Sequence, residues 1–278
     1  MIIKNLFIKS VRQIINKFDI SVVKKNVIDF NQNFDYSKLN LSRLNIVKNY
    51  ELKNMITTAG KKLGSIEDPY YFALRESLPI VDRKTFIQSF TKTIKSIVKS
   101  PRTAGEAINL KNSKKLSEYP EYALVAPWED IAIEVNYRTY LNRFVSKRKK
   151  LKKIYENSNK ENRDQIIYND LAWESHANQF FDLYKSISKN GFKETNFIPV
   201  YLFKYNNLFR LSLSDDGNHR IRVAYVLGIK SIPLKISKIA DFENINNWVN
   251  VKNGLYSLEE AEKIFINYFN YKGNGAYV

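Results

Sequence analysis

One stretch constrains this chain more than any other: Ser214-Asp215-Asp216-Gly217-Asn218-His219-Arg220, with Ile221-Arg222-Val223-Ala224-Tyr225-Val226-Leu227-Gly228 behind it. Leu208 to Leu213 before it is strand-like, and the run after it has a helical pattern that closes on Gly228, so the chain passes from strand to helix through an Asp-Gly turn. Such a turn sets backbone N–H groups at a helix N-terminus, where the dipole favours an anion. Gly217 lets the chain come close to a ligand. His219 and Arg220 add donors, and an arginine can hold a phosphate through two parallel bonds. A structural turn needs only the Asp-Gly pair; it does not need Asn, His and two Arg in the next five positions.

The flanking sequence completes an α/β unit. Ala172 to Ser188 has helical spacing, with Phe180, Leu183, Tyr184 and Ile187 on one face and Asn190-Gly191 as a left-handed stop. Phe197 to Phe203 reads as a strand, Lys204 to Asn207 as a turn, and Leu208 to Leu213 as the second arm of a hairpin. Ser231 to Ile236 is a further strand. Ser257 with Glu260 forms a capping box for a last helix through Tyr268.

Upstream, residues 1–115 read as a mainly helical region. Phe86, Phe90, Ile94 and Ile97 form a stripe ended by Ser100-Pro101, and Arg102 to Leu110 makes another short helix. Val27 to Phe30 is an extended piece. Ile2 to Phe18 places Ile3, Phe7, Val11, Ile14 and Phe18 on one face, with Lys4, Lys9, Arg12 and Lys17 off it and no acid before Asp19. Two roles fit this basic amphipathic helix: lying on an anionic membrane surface, or packing on its own domain.

Composition narrows the chemistry. The 278 residues, 44% of them hydrophobic, can bury a large core. Cysteine is absent, which removes disulfides, thiolate metal sites and a cysteine nucleophile, and suits a reducing cytoplasm. There are two histidines, His176 and His219, and no metal-ligand spacing. His176 reads as a helix-surface or packing residue. Lys+Arg is 45 against 28 Asp+Glu, a formal charge of +17 that suits polyanionic partners or a solvated, lysine-rich surface. From Arg143 to Lys153 there are seven basic residues and no acid. That run reads as a solvated helix face, with a phosphate-backbone or lipid contact as the alternative. No run of 18 apolar residues occurs.

Three pieces, "SISKNGF", "IPVYLF" and "DDGNHRIRVAYVLGIKSIPLKI", together resemble the ParB/sulfiredoxin superfamily, over roughly residues 118–237. The resemblance implies an α/β (α+β) fold, a small mixed sheet with helices in a domain of residues 116–278. It implies a nucleotide site in which Gly217, Asn218, His219 and Arg220 hold phosphates, Arg222 stands as a second phosphate-box arginine, Asp216 precedes the glycine, and Ala224 lets the helix pack on the sheet. Two departures narrow the activity. Asn218 stands where sulfiredoxins carry their cysteine, so sulfinate repair is excluded. The 42 residues after Ile236 are too few for the helix-turn-helix and dimerisation segments of partition proteins.

The resemblance also implies a phosphotransferase or ATPase that uses ATP or another nucleoside triphosphate, with Mg²⁺ inferred from the chemistry. Its substrate would be a small or glycan-linked hydroxyl compound. Within this reading Glu129, aimed by Pro127-Trp128, is the acceptor base, with Asp130 and Glu134 next in line and His219 and Asp216 beside the phosphates. A helix-opening acid is the plainer role for Glu129, and a core aromatic the plainer role for Trp128. Nucleic-acid binding or cleavage and a non-catalytic nucleotide sensor are the alternatives. A looser similarity links the N-terminal helix and the "YPEYALVAPWE" segment to surface-polysaccharide biosynthesis proteins, which places the chain in the cytoplasm, peripheral at the inner membrane face.

Overall fold

The computed structural model describes residues 25–29, 39, 44–65, 67–78, 80, 82–98, 103–193, 197–214 and 216–271. The Ile2–Phe18 helix and Asp215 lie outside them.

The fold is mixed α/β. Its strands are β1 (Lys25–Asp29), β2 (Leu44–Lys48), β3 (Ile198–Tyr205), β4 (Leu208–Leu213) and β5 (Leu234–Asp241), in the order β1-β2-β5-β3-β4. β3 and β4 form the hairpin read from sequence, paired from Val200↔Leu213 to Tyr205↔Leu208. Its two-residue turn uses Asn206 at φ 52°, a conformation asparagine tolerates. β5 returns parallel to β3, and β2 pairs antiparallel with β5 at Ile46↔Lys235 and Val47↔Leu234.

The main helices are α1 (Pro69–Ser77), α2 (Arg83–Ile97), α3 (Ile133–Ser146), α4 (Lys149–Glu156), α5 (Asp170–Asn190), α6 (Asn218–Val226) and α7 (Leu258–Phe269). α2 buries Phe86, Phe90 and Ile94, the stripe expected of it, against Trp173, Ala177, Phe180 and Phe181 of α5. α6 lays Ile221 and Ala224 on the sheet, beside Val200, Leu202 and Leu211. The capping box is present: Glu260 N–H donates to Ser257 Oγ (3.1 Å) and Ser257 N–H to Glu260 Oε2 (2.7 Å).

Besides its helices, the N-terminal region supplies β1, where an extended piece is read at Val27–Phe30, and β2, and the chain at Ile56 continues the sheet past β4. Ile56 N–H donates to Leu211 O (3.0 Å), and Leu213 N–H donates to Ile56 O (2.8 Å). An edge strand's unpaired groups are satisfied in this way by a segment more than a hundred residues upstream. Ala123–Ala126 forms no strand, and Glu121–Ala123 is a 3₁₀ turn. Among the described residues no helix is long and apolar enough to cross a membrane.

Candidate functional site

The strand–turn–helix is built as the sequence requires. Gly217 is the N-cap of α6 at φ 83°, and an added Cβ would lie 2.7 Å from Ile198 Cγ2. Its close approach is to β3 and not to an open ligand face, so glycine is needed twice over, for the left-handed backbone and for the space. Ser214 Oγ donates to Pro199 O (2.9 Å) and Asn218 Nδ2 to Ser214 O (2.9 Å), which lashes the turn to β3 and to itself.

Helical geometry then divides the box. His219 and Arg222, three apart, share one face of α6 and point into a cavity of about 400 Å³. Asn218 also lines it. The other walls are Tyr70 of α1, Tyr140, Arg143 and Phe144 of α3, His176 and Phe180 of α5, and Thr58. Arg220 and Asp216 fall outside this lining. Arg220 Nη2 lies 3.9 Å from Asp216 Oδ1, and the Asp216 side chain is 81% exposed.

Arg222 is 6% exposed and anchored. Its Nε donates to Asp68 Oδ2 (2.7 Å), its Nη1 to Asn218 O (3.1 Å), and its guanidinium stands 5.6 Å from the Tyr70 ring centre. Asp68 is the N-cap of α1, and its Oδ1 also takes Tyr71 N–H (3.3 Å). The pair satisfies a buried charge and ties α1 to α6.

The chain's two histidines meet in this cavity. His176 Nδ1 and His219 Nε2 are 2.9 Å apart, with ring centres 5.1 Å apart and planes inclined by 11°. Burial is the main cause holding both imidazoles neutral. It pushes His219 down to about 3, with Arg222 and Arg148 adding to the effect, and it lowers His176 well below the usual histidine range, with His219 and the same arginines contributing. The cavity therefore joins two arginines, a neutral histidine pair and aromatic walls, with no carboxylate among the described residues that line it.

Glu129 belongs to a second cavity, of about 290 Å³, lined also by Glu121, Trp128, Tyr201, Ser212, Ser214 and Tyr256. Its Oε2 accepts from Ala126 N–H (2.9 Å), and Asn250 Nδ2 donates to its carbonyl (3.1 Å). Trp128 is a core aromatic, edge-on to Phe203 at 4.8 Å and to Tyr268 at 4.9 Å. Glu129 and His219 thus face different cavities, and Thr58 lines both. Asp130 pairs with Lys238 (2.8 Å), and Glu134 lies 4.0 Å from Lys115.

The described residues build no cage for the inferred Mg²⁺. No group of three or more acidic or histidine side chains converges among them, and Asp68 is engaged by Arg222.

The sequence reads His176 as a helix-surface or packing residue and Arg143 as part of a solvated run, and carries no sign of a role for Tyr70 or Asp68. One signal was available: both histidines of a histidine-poor chain lie on helices flanking the same hairpin. Comparison with protein-family models, with curated proteins and with solved structures gave no match.

Proposed function

We propose that this protein binds a phosphorylated ligand, a nucleotide in its simplest form, in the cavity between α1, α3, α5 and α6. The observation that carries the reading is the lining itself: Arg143, Arg222, His176 and His219 among Tyr70, Tyr140, Phe144 and Phe180, with no carboxylate among the described residues that line it. Charge-assisted bonds from guanidinium groups suit phosphate oxygens, and ring faces suit a base. The resemblance to the ParB/sulfiredoxin superfamily supports the same ligand class. Isothermal calorimetry with ATP, ADP and CTP tests it. Arg143→Ala removes one charge-assisted contact and should weaken binding by about 1.5–3 kcal/mol, roughly ten- to a hundred-fold. Heat-silent titrations with all three nucleotides would end the reading.

A further proposal, carried by the resemblance, is phosphoryl transfer to a small or glycan-linked hydroxyl compound with Glu129 as the base; it requires the two cavities, which share Thr58, to open to one another. A cytoplasmic protein resting on the inner membrane face through Ile2–Phe18 is a separate proposal. Liposome co-sedimentation of the full chain against one starting at Ser21 tests it, and equal sedimentation would end it.

The nucleic-acid alternative has one observation in its favour. Lys149, Lys150, Lys152 and Lys153 of α4 are exposed, and Arg143, at the start of the same basic run, reaches the cavity. A salt titration of binding to generic DNA separates the two, since backbone contacts weaken steeply with salt.

A further inference from the structure

The cavity that holds Glu129 has a hydrogen-bonding character of its own. Six hydroxyl side chains line it, and four of them make a bond whose direction is fixed, because a carbonyl has no proton to give. Ser214 Oγ donates to Pro199 O (2.9 Å), Ser212 Oγ to Leu213 O (3.3 Å), Tyr256 OH to Val125 O (2.6 Å) and Tyr268 OH to Thr58 O (2.8 Å). With their protons turned to the backbone, these oxygens keep only lone pairs for anything else. Glu121 and Glu129 accept only, as carboxylates do, and each can take several bonds; Ala126 N–H uses one site on Glu129. Trp128 is the one side chain among the described lining residues that can only donate, while Thr58 and Tyr201 can do either.

This is the reverse of the neighbouring cavity, whose Arg143 and Arg222 only donate. An anion entering beside Glu129 would meet lone pairs and carboxylates. A ligand matched to the lining carries N–H and O–H groups on most of its sides, and a positive charge. It then finds acceptors wherever in the cavity they stand, with no need for the two carboxylates to converge on one atom. The walls fit the same ligand: Trp128, Tyr201, Phe203 and Tyr268 are aromatic, and ring faces attract a cation and pack on C–H surface. Size sets a limit. At roughly 30 Å³ per water, a space of about 290 Å³ holds about ten waters, or a ligand of about a dozen heavy atoms. Glu121, Glu129 and Tyr201 are half-buried, and Thr58 and Ala59 are exposed, so such a ligand has a way in.

We propose that this cavity binds an ammonium-bearing polyol the size of one sugar ring, the class of the amino sugars. The binding stands apart from the phosphate cavity. It rests on the phosphoryl-transfer proposal above only in naming this ligand as the acceptor: one of its hydroxyl oxygens gains the phosphoryl group, the proton of that hydroxyl passes to the Glu129 carboxylate, and ADP leaves.

The test is calorimetry of the full chain at about pH 6.5, where an amine is protonated. Glucosamine is titrated against glucose, N-acetylglucosamine and glucuronate. Glucosamine is expected to bind. Glucose, which lacks the charge, should bind roughly ten- to a hundred-fold more weakly, the worth of one charge-assisted bond, and N-acetylglucosamine no better than glucose. Glucuronate brings a carboxylate to a lining of acceptors and should give no heat. Glu121→Gln with Glu129→Gln keeps the shape and removes the charge, and should bring glucosamine to within about threefold of glucose. The wild-type comparison decides the matter even if that double variant fails to fold. Glucose or glucuronate binding as tightly as glucosamine overturns the proposal. So does a preference for glucosamine that survives the double substitution, or a glucosamine titration without heat at millimolar concentration in a protein that binds ATP; each of these leaves the phosphate cavity standing. Glucosamine binding with no heat from ATP, ADP or CTP is the opposite case, in which the phosphate reading falls and this one stands. If neither class of ligand binds, both fall.

Discussion

On either side of Thr58 the molecule holds two cavities of opposite chemistry. Among the described residues, one is lined by Arg143 and Arg222 and by no carboxylate; the other is lined by Glu121 and Glu129 and by no arginine or lysine. The first takes its polar groups from helices, so each long side chain is anchored by a neighbour: Arg222 by Asp68, His219 by His176. The second takes them from turns and strand ends, where Ser214 Oγ and Glu129 Oε2 bond to backbone within their own region of the fold. The difference teaches where charge is stored. In the first cavity Arg222 and His176 are buried and His219 is half-buried beside them, while Arg143 is exposed; the groups of the second hold the backbone in place. A group-transfer reading needs both, the first to bind an anion and the second to accept a proton from a hydroxyl.

The sharpest way to break that division is Glu129→Gln. It keeps the shape, and the amide oxygen can still accept from Ala126 N–H. If Glu129 is the acceptor base, steady-state phosphoryl transfer should fall by roughly 10²–10⁴-fold with nucleotide affinity unchanged. If Glu129 only caps its own turn, turnover and affinity would both stay near wild type.

Asp68→Asn tests the other cavity and should have the next largest effect. Asparagine can still cap α1 through Tyr71 N–H, so the change isolates the charge. Arg222, with its side chain 8% exposed, would be left as a buried cation without its carboxylate. Removing one partner of such a pair costs about 3–5 kcal/mol, read as a loss of unfolding free energy in urea. A phosphate ligand should recover more stability in this variant than in the wild type, because it replaces the lost carboxylate. A loss below about 1 kcal/mol would show that water reaches Arg222 and that the cavity is wetter than its burial implies.

How much of this could be read beforehand depended on sequence distance. The hairpin, the Gly217 turn and the Ser257 cap are set by residues within a few positions of one another, and their bounds matched closely: Leu208–Leu213 was read as it stands. β2 meets β5 across nearly two hundred residues, and Ile56 reaches β4 across some 150, so no local pattern announces either pairing. β5 runs on to Asp241, past the expected end at Ile236, because after a register shift the β3–β5 ladder continues from Tyr201↔Lys238 to Lys204↔Asp241. The box itself was legible as chemistry and only half legible as geometry. The sequence reads its residues as one phosphate cluster, but the 3.6-residue period sends His219 and Arg222 inward and leaves Arg220 outside, while Asp216 stands in the turn before the N-cap. His176 and Arg143 were not legible as site residues, because what makes them so is the helix each one faces.

Arg220 carries the smallest expected effect and draws the line between these two halves of the box. Its guanidinium packs over Gly217, with Nη2 3.4 Å from where a Cβ there would lie, and it is 3.9 Å from the exposed Asp216 carboxylate. Part-exposed ion pairs of this kind contribute about 0–1 kcal/mol. A charge outside the cavity acts on a bound phosphate only through a screened field, which salt weakens within about 8–10 Å. Arg220→Ala should therefore lower nucleotide affinity by less than about fivefold, and the remaining loss should shrink further as salt is raised from 0.05 to 0.5 M, each an order-of-magnitude choice set by the screening length. Arg143→Ala, acting at contact range in the cavity, should keep most of its loss at high salt. If Arg220→Ala instead costs as much as Arg143→Ala and keeps its cost in salt, then the phosphates sit at the outer mouth of the Gly217 turn. The histidine pair would in that case stand behind the ligand and not against it.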